Sequence, residues 1–373
     1  MMLADQGADV IKVENPHGGD HTRASANTQN GFSANFLNNN RNKRSVALNL
    51  KDDLAKQALL KLCEGADVFI QNFRPGVVDR MGIGEADVRA VASDIIYVSI
   101  SGFGETGPYA AKPVYDPLIQ ALSGLATVQA GSDAVRPRLV RTILPDKLTG
   151  LVAAQAITAA LLSRTRSGKG QHIHLSMLDT IIAFLWGSDM GSQTFVDSPF
   201  PQQNAASFID LIYETADGHI SVAVQSDKEW QALTRAFGKP EWLNDARFRT
   251  PAQRQENIDD RLLLTQEVLR TRTTAEWIER LEAEDVPCAP VLTRTEAIRH
   301  PQVAANGTVI ETQHHFAGGV RQARPAAQFS ETLIDMRHGG PALGEHTVEI
   351  LVEIGYSSAE IAEITGVTRD AAE

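Results

Sequence analysis

Short apolar segments alternate with helical segments through the first part of the chain, and this alternation constrains the fold more than any other feature. The apolar segments are rich in β-branched residues, as buried parallel strands are. They cover residues 8–14, 46–50, 67–73 and 95–100, with helical patterns at 53–66 and 85–92 between them. Strand–helix alternation predicts an α/β fold with a doubly wound parallel sheet.

The start of the sequence departs from this pattern, because residues 1–6 look like a helix that ends at Gly7 before the first strand. A doubly wound domain normally begins with a strand that such a helix follows. We therefore expect that a first strand and its loop are missing from this sequence.

The character of the chain changes after a polar, proline-containing segment at residues 188–206. Residues 208–225 predict a hairpin around Asp217-Gly218. Helices are predicted at residues 227–237, 256–271 and 274–284, and a strand is predicted at residues 287–292. These elements predict a second, smaller α+β domain.

Length and charge exclude several classes of protein. A chain of 373 residues suggests about two domains, and a net charge of −11 argues against a general nucleic-acid binder. The sequence contains no run of about 18 apolar residues, so we expect no membrane span. Two distant cysteines, Cys63 and Cys288, and the lack of a secretory signal in the first residues favour a reducing cytoplasm.

A glycine motif, GFGETG at residues 102–107, follows a predicted strand and resembles a dinucleotide-binding turn. Pro108, Pro113 and Pro117 interrupt the helix that such a turn requires. A turn-rich ligand loop is favoured over an NAD site.

Two basic loops adjoin neighbouring predicted strands: the first loop precedes its strand, and the second follows its strand. One has Arg41, Lys43 and Arg44; the other has Arg74 and Arg80 around a Pro-Gly turn. They are either solvated loops or a groove for phosphate groups, since ligands of open α/β sheets bind at the carboxyl ends of strands.

His172 and His174 lie on one side of an extended segment. Two histidines without a third ligand are a weak signal for a metal, so we expect none. The sequence also has no G-x-S-x-G elbow, no phosphate-binding P-loop and no H-E-x-x-H motif.

Asp146 stands at the start of a long helical segment predicted at residues 148–163. It could cap that helix by accepting backbone N–H bonds, or it could act as a carboxylate nucleophile that the helix start keeps ionised. Local sequence leaves both roles open.

Taken together, several stretches resemble the family III CoA transferases, the group that includes formyl-CoA, carnitine-CoA and succinyl-CoA transferases and the α-methylacyl-CoA racemases. The matching stretches run in the family's order across nearly the whole chain: LADQGADVIKVENPHGGD (3–20), NRNKRSVALNLK (40–51), ADVFIQNFRPGVVDRMGIG (66–84), VSISGFGETGPYAAKPVYDPLIQALSG (98–124), SGKGQHIHLSMLD (167–179), DVPCAPV (285–291) and LGEHTVEILVEIGYS (343–357).

The resemblance implies a Rossmann-like large domain made from both chain ends, residues 1–195 with 310–373, and a small inserted domain at 205–305. It also implies an interlocked homodimer that acts on acyl-CoA and a carboxylic acid, with no permanently bound cofactor and no nucleic-acid or membrane partner. Asp146 matches the family's catalytic aspartate, which would form an acyl-aspartyl anhydride and then an aspartyl-CoA thioester.

The resemblance also implies a set of CoA contacts. They lie in loops at strand ends and in the segment between the glycine motif and the next helix. They are Asn15, Leu48, Asn49, Leu50, Lys51, Asn72, Phe73, Arg74, Arg80, Lys112 and Tyr115.

Departures from the family pattern leave alternatives open. Racemases carry a histidine directly before the aspartate that is here Asp116, whereas this chain has Tyr115. Formyl-CoA transferases have a glycine-rich loop, and no glycine cluster lies between residues 192 and 217, which makes oxalate an unexpected acceptor. An α-methylacyl-CoA racemase or epimerase, and a CoA-binding homologue made inactive by the missing start, remain alternatives to a transferase.

Overall fold

The computed structural model describes residues 1–131, 135–197, 210–332 and 336–366. The chain divides into two compact units, which we call unit 1 (Met1–Ala205 with Ala305–Glu373) and unit 2 (Ala206–Ala304). Unit 1 therefore receives both ends of the chain, and unit 2 is inserted between them.

The described residues form a mixed α/β structure, as predicted. The strands are β1 Val10–Glu14, β2 Thr28–Gln29, β3 Phe32–Ser33, β4 Lys43–Ala47, β5 Val68–Gln71, β6 Ile96–Ser101, β7 His172–Ser176, β8 Ile212–Glu214, β9 His219–Val222, β10 Cys288–Pro290, β11 Val309–His314 and β12 Gly318–Ala323. The helices are α1 Met2–Asp5, α2 Ala34–Asn40, α3 Asp53–Glu64, α4 Val77–Met81, α5 Glu85–Val91, α6 Asp116–Leu122, α7 Leu125–Ala130, α8 Leu144–Ser167, α9 Met177–Trp186, α10 Asp227–Phe237, α11 Pro251–Glu256, α12 Ile258–Leu269, α13 Thr274–Glu282, α14 Arg294–Ala297, α15 Pro301–Ala305, α16 Thr347–Glu353 and α17 Ser358–Thr365.

The parallel strands of unit 1 form two small sheets. β1 pairs with β4, and β5, β6 and β7 pair in that order, all in parallel. Two antiparallel pairs, β2 with β3 and β11 with β12, accompany them. The predicted parallel pairing is present, but the described strands divide between two sheets where the sequence predicted one.

Both ends of the chain build the larger core of unit 1. Val46 of β4 and Tyr97 of β6 are buried in one apolar cluster with helices α3 and α5. Ile350 and Leu351 of α16 and Ile361 of α17 complete the same cluster from the far end of the chain. Burial of these side chains ties the C-terminal helices to the early strands.

Strand β6 has two different faces because successive side chains of a strand point to opposite sides. Ile96 and Val98 pack in a cluster with Ile157 and Ala160 of α8. The other face carries Tyr97 and Ser99, and it becomes polar towards the carboxyl end of the strand. This polar end adjoins the loop with the glycine motif.

Helix α8 is longer than predicted, because it begins at Leu144 and ends at Ser167. Pro145 fits in its first turn, where a missing N–H costs nothing, and Gly168 ends it with a left-handed φ of 68°. Among the described residues, α8 is long and apolar enough to cross a membrane, a test that core helices of soluble proteins also pass. It packs on β6 and β7 through one face.

One buried ion pair and one exposed cluster of ion pairs correct the interpretation of the first basic loop. Arg41 donates through Nη2 to Asp5 at 2.8 Å, and both side chains are 4% exposed. Arg44 pairs with Asp9 at 2.5 Å and also with Glu349 and Glu353 of α16. Capture of phosphate by these two arginines is therefore wrong: they hold α1, β1 and α16 together.

Unit 2 has its own core. β8 and β9 form the predicted hairpin, with Glu214 opposite His219 and Asp217-Gly218 in the turn, and β10 pairs antiparallel with β9. Three of the chain's four tryptophans, Trp230, Trp242 and Trp277, are buried in this core with Leu281. Tryptophan fluorescence therefore reports mainly on unit 2.

Leu281→Ala tests this core, because Leu281 of α13 is fully buried. Removing the side chain should lower the free energy of unfolding of unit 2 by about 2–5 kcal/mol. Urea unfolding followed by tryptophan fluorescence measures the change. The control is Glu282→Ala at the neighbouring exposed position, and equal midpoints for the two variants would contradict the assigned core.

Candidate active site

Asp146 lies in the first turn of α8, three residues after the N-cap residue Ile143. Its carboxylate makes no hydrogen bond with any described residue, and Ile143 provides no side-chain cap. The interpretation of Asp146 as the cap of this helix is therefore wrong, and its exposed carboxylate is available for other contacts.

Asp116 takes the capping role from another part of the chain. This residue begins α6 and is 4% exposed, and its Oδ2 accepts the backbone N–H of Asp146 at 3.3 Å. An N–H in the first helical turn has no partner within the helix, so a buried carboxylate is a suitable acceptor. Asp116 thereby fixes the main chain of Asp146 and leaves its side chain unengaged.

Gln120 holds Asp116 and the segment before α8 in one buried network. Its Nε2 donates to Asp116 Oδ1 at 2.6 Å, and its Oε1 accepts the N–H of Val140 at 2.9 Å. The same amide nitrogen also contacts the carbonyl oxygens of Val140 and Thr142 at 3.3 Å. Since Gln120 is buried, loss of these bonds would leave polar atoms unsatisfied.

The surroundings of Asp146 raise the pKa of its carboxyl above the ordinary value. Partial desolvation of this exposed side chain by the surrounding protein is the first cause and the charge of Asp116 the second, while Lys147 acts in the opposite direction. These two effects outweigh the expected preference of the helix start for the ionised form of Asp146. Two neighbouring carboxylates with different environments give Asp146 a carboxylate that is more basic than that of an ordinary aspartate.

The first group of predicted CoA contacts lies at the ends of β1 and β4. Because Glu14 pairs with Ala47, Asn15 and the segment that begins at Leu48 leave neighbouring parallel strands at the same edge. The exposed Lys51 and the half-buried Asn49 and Leu50 remain accessible.

Leu48 does not fit its predicted role. Its side chain is 1% exposed within the core of unit 1, and its backbone N–H donates to Glu14 O at 2.9 Å. A side-chain contact between Leu48 and CoA is therefore wrong for this conformation. The residues that follow Leu48 remain the candidates for contact with CoA.

The second group follows β5, in the other parallel sheet. Gln71 Oε1 accepts the N–H of Phe73 at 2.8 Å and so shapes the turn that exposes Asn72, Phe73 and Arg74. The guanidinium groups of Arg74 and Arg80 are exposed and make no hydrogen bond or ion pair with any described residue. Unlike Arg41 and Arg44, these two cations remain available for an anionic ligand.

The third group lies between the glycine motif and α6. Lys112 Nζ stands 3.3 Å from the centre of the Tyr109 ring, and Tyr115 is 77% exposed directly before Asp116. The next helix after the motif begins only at Asp116, so the helix that a dinucleotide turn requires is not formed by residues 108–115.

Sequence reasoning missed Asp116 and Gln120 as parts of the site. The only local signal is their spacing of four residues, which places an acid and an amide on one face of a helix. The bond from Asp116 to Asp146 joins positions thirty residues apart and has no counterpart in local sequence.

Comparison with known proteins identifies the group to which these features belong. Residues 1–347 match the family described as CoA-transferase family III. The succinyl-CoA:glutarate CoA-transferase of Homo sapiens is 32% identical over 372 residues, covering 98% of this chain and 84% of the relative. The formyl-CoA:oxalate CoA-transferase of Shigella sonnei is 32% identical, with 97% of this chain and 92% of the relative covered.

Solved structures give the same result. A CAIB/BAIF family protein from Brucella suis superposes with a TM-score of 0.80 at 31% identity, covering 94% of this chain and 93% of that one. A protein from Mycobacterium tuberculosis, Rv3272, has a TM-score of 0.80 at 29% identity, with coverage of 93% and 92%. Sequence and structure together show that this chain belongs to CoA-transferase family III.

Proposed function

We propose that this family III CoA transferase moves CoA from an acyl-CoA donor to a carboxylic acid, with Asp146 as the covalent nucleophile. The observation that carries the proposal is the unengaged Asp146 carboxylate on a main chain held by the buried Asp116. A fixed nucleophile with a raised pKa suits attack on a thioester.

The reaction then divides into paired exchanges at the Asp146 carboxylate. A carboxylate oxygen attacks the donor's thioester carbon, and the C–S bond breaks to give CoA thiolate and a mixed anhydride. The thiolate attacks the Asp146 carbonyl carbon, which releases the donor acid and leaves an aspartyl-CoA thioester. The acceptor carboxylate and the thiolate repeat these two steps in reverse order, giving the new acyl-CoA and free Asp146.

The exposed residues of the three groups of predicted CoA contacts would bind CoA. Arg74 and Arg80 are unpaired cations that suit the phosphate groups of CoA, and Phe73, which is 46% exposed, offers an aromatic face to the adenine. Asn15, Lys51 and Lys112 add polar contacts from neighbouring loops.

The acceptor that we propose is a dicarboxylic acid of the succinate and glutarate class. Relatives from Homo sapiens and Agrobacterium fabrum are named for these acids. In this chain, three exposed arginines, Arg136, Arg138 and Arg141, precede Asp146, and none forms a side-chain hydrogen bond or ion pair with a described residue. The segment between residues 192 and 217, which has no glycine cluster, lies in part (198–209) outside the described residues.

We further propose that the chain works as a homodimer of interlocked subunits. Large apolar side chains are exposed on α8 and α9, among them Leu151, Leu162, Phe184 and Trp186. A second copy would remove such an apolar surface from water. Light scattering after size-exclusion chromatography should give twice the mass of one chain, and a monomer at micromolar concentration would contradict the proposal.

Asp146→Asn is the direct test of the nucleophile. The unmodified protein, incubated with succinyl-CoA and glutarate, should turn over and should carry a borohydride- or hydroxylamine-sensitive adduct on the peptide that contains Asp146. The variant should lose both, with activity reduced by at least about 10³-fold. Full activity in the variant would overturn covalent catalysis, whereas an adduct without turnover of glutarate would overturn only the acceptor class.

The same substitution should raise the melting temperature at neutral pH. A carboxyl whose folded-state pKa is raised contributes stability only while it is protonated, and this contribution is lost as the pH rises through that pKa. At neutral pH, the ionised Asp146 therefore costs stability that an asparagine restores. Equal melting temperatures at pH 7, with a difference only in acid, would contradict the raised pKa.

Asp116→Asn tests the positioning role of Asp116 by a readout other than rate alone. Asparagine can still accept the N–H of Asp146, but it removes the negative charge that raises the pKa of Asp146. The acidic limb of the kcat/KM profile should therefore move to lower pH. Asp53→Asn, which removes an exposed carboxylate from the first turn of α3, is the matched control and should leave the limb in place.

A further inference from the structure

Three metal-binding side chains meet at the edge of the sheet formed by β5, β6 and β7. Ligand atoms of Glu105, His172 and His174 all lie within 4.8 Å of one another. His172 and His174 belong to β7, and Glu105 belongs to the loop that follows β6. This cluster lies outside the residues assigned above to CoA binding and to acyl transfer.

The strand register explains why the two histidines converge. Residues two apart on a strand share a face, and in the pairing with β6 His172 stands beside Tyr97 and His174 beside Ser99. The two imidazole rings are 3.7 Å apart between centres. Glu105 approaches this pair of histidines from the loop that follows β6, the neighbouring strand.

Glu105 supplies the third ligand that the sequence did not reveal. Its Oε2 lies 2.9 Å from Nδ1 of His174, and both side chains are about half exposed. This contact involves two members of the cluster, and His172 adjoins them through the close approach of its ring to that of His174. Neutral imidazoles are the form that binds metals.

His172 is oriented by a buried hydrogen-bond relay of the kind that supports metal ligands. Its Nε2 lies 2.8 Å from Ser99 Oγ, and that oxygen accepts from Gln71 Nε2 at 3.0 Å. Both Gln71 and Ser99 are buried. In the tautomer whose Nε2–H donates to Ser99 Oγ, Nδ1 is the nitrogen of His172 left for a metal, and such outer partners fix the ring and tautomer of a ligating histidine.

We propose that Glu105, His172 and His174 bind one divalent cation of the zinc class, with solvent completing the coordination. Two imidazole nitrogens and one carboxylate oxygen are a ligand set that zinc accepts and that the harder cations Mg²⁺ and Ca²⁺ disfavour. The bound ion joins the glycine-motif loop to β7. In that loop, Gly104 and Gly107 have φ values of 94° and 86°, which glycine adopts more readily than other residues.

Zn²⁺ titration of the full chain, prepared without a polyhistidine tag and with metal removed by a chelator, tests the proposal independently of turnover. Calorimetry should give one Zn²⁺ per chain. Co²⁺ should give the visible absorption of a site with nitrogen and oxygen ligands. Glu105→Gln and His174→Ala should abolish this binding, and both change exposed side chains, so far-UV circular dichroism should stay unchanged.

Two further variants separate a built site from casual binding by surface histidines. Ser99→Ala removes the hydroxyl that contacts His172 and accepts from Gln71, leaves all three proposed ligands in place, and should weaken Zn²⁺ binding by about 10–100-fold. His315→Ala removes an exposed histidine of the adjacent pair His314 and His315 and should change nothing. No Zn²⁺ binding by the unmodified chain, or binding that survives in Glu105→Gln and His174→Ala, overturns the proposal.

Discussion

The buried carboxylate of Asp116 is the constraint on which the candidate site depends. It receives Gln120 from its own helix and the N–H of Asp146 from α8, and so it joins two helix starts that are thirty residues apart in the chain. A carboxylate buried in this way is stable only because hydrogen-bond donors surround it. One such group therefore holds the main chain of Asp146, contributes to the raised pKa of its carboxyl and leaves that side chain exposed.

The arginines of the two basic loops differ in whether the fold supplies them with partners. Arg41 and Arg44 satisfy carboxylates of α1, the β1 region and α16, whereas Arg74 and Arg80 end in solvent at a strand-end loop. All four stand near strands and look equivalent in the sequence. A buried arginine needs a partner, and the acids that provide it come from distant segments. Only the exposed pair is therefore available to a ligand that arrives from solution.

The sequence predicted the features that depend on local patterns. The hairpin at Asp217-Gly218 and the helix at residues 227–237 match the structure because turn chemistry and apolar spacing specify them. Helix α8 begins at Leu144, four residues before the predicted start at residue 148, and Pro145 suits its first turn. The family resemblance pointed to Asp146, but its relation to Asp116, the burial of Leu48 and the approach of Glu105 to two histidines arise from contacts between distant segments. Hydrophobic periodicity carries no information about such contacts.

The shared core of unit 1 has a consequence for the synthesis of the chain. Val46 and Tyr97 leave the ribosome early, but Ile350, Leu351 and Ile361, which cover them, follow only after all of unit 2. At about 5–20 residues per second, the early strands wait many seconds with apolar surface uncovered. Unit 2, which has a core of its own, can fold during this interval and so shortens the flexible loop that unit 1 must close. The inserted unit thereby lowers the entropic cost of bringing the two ends of the chain together.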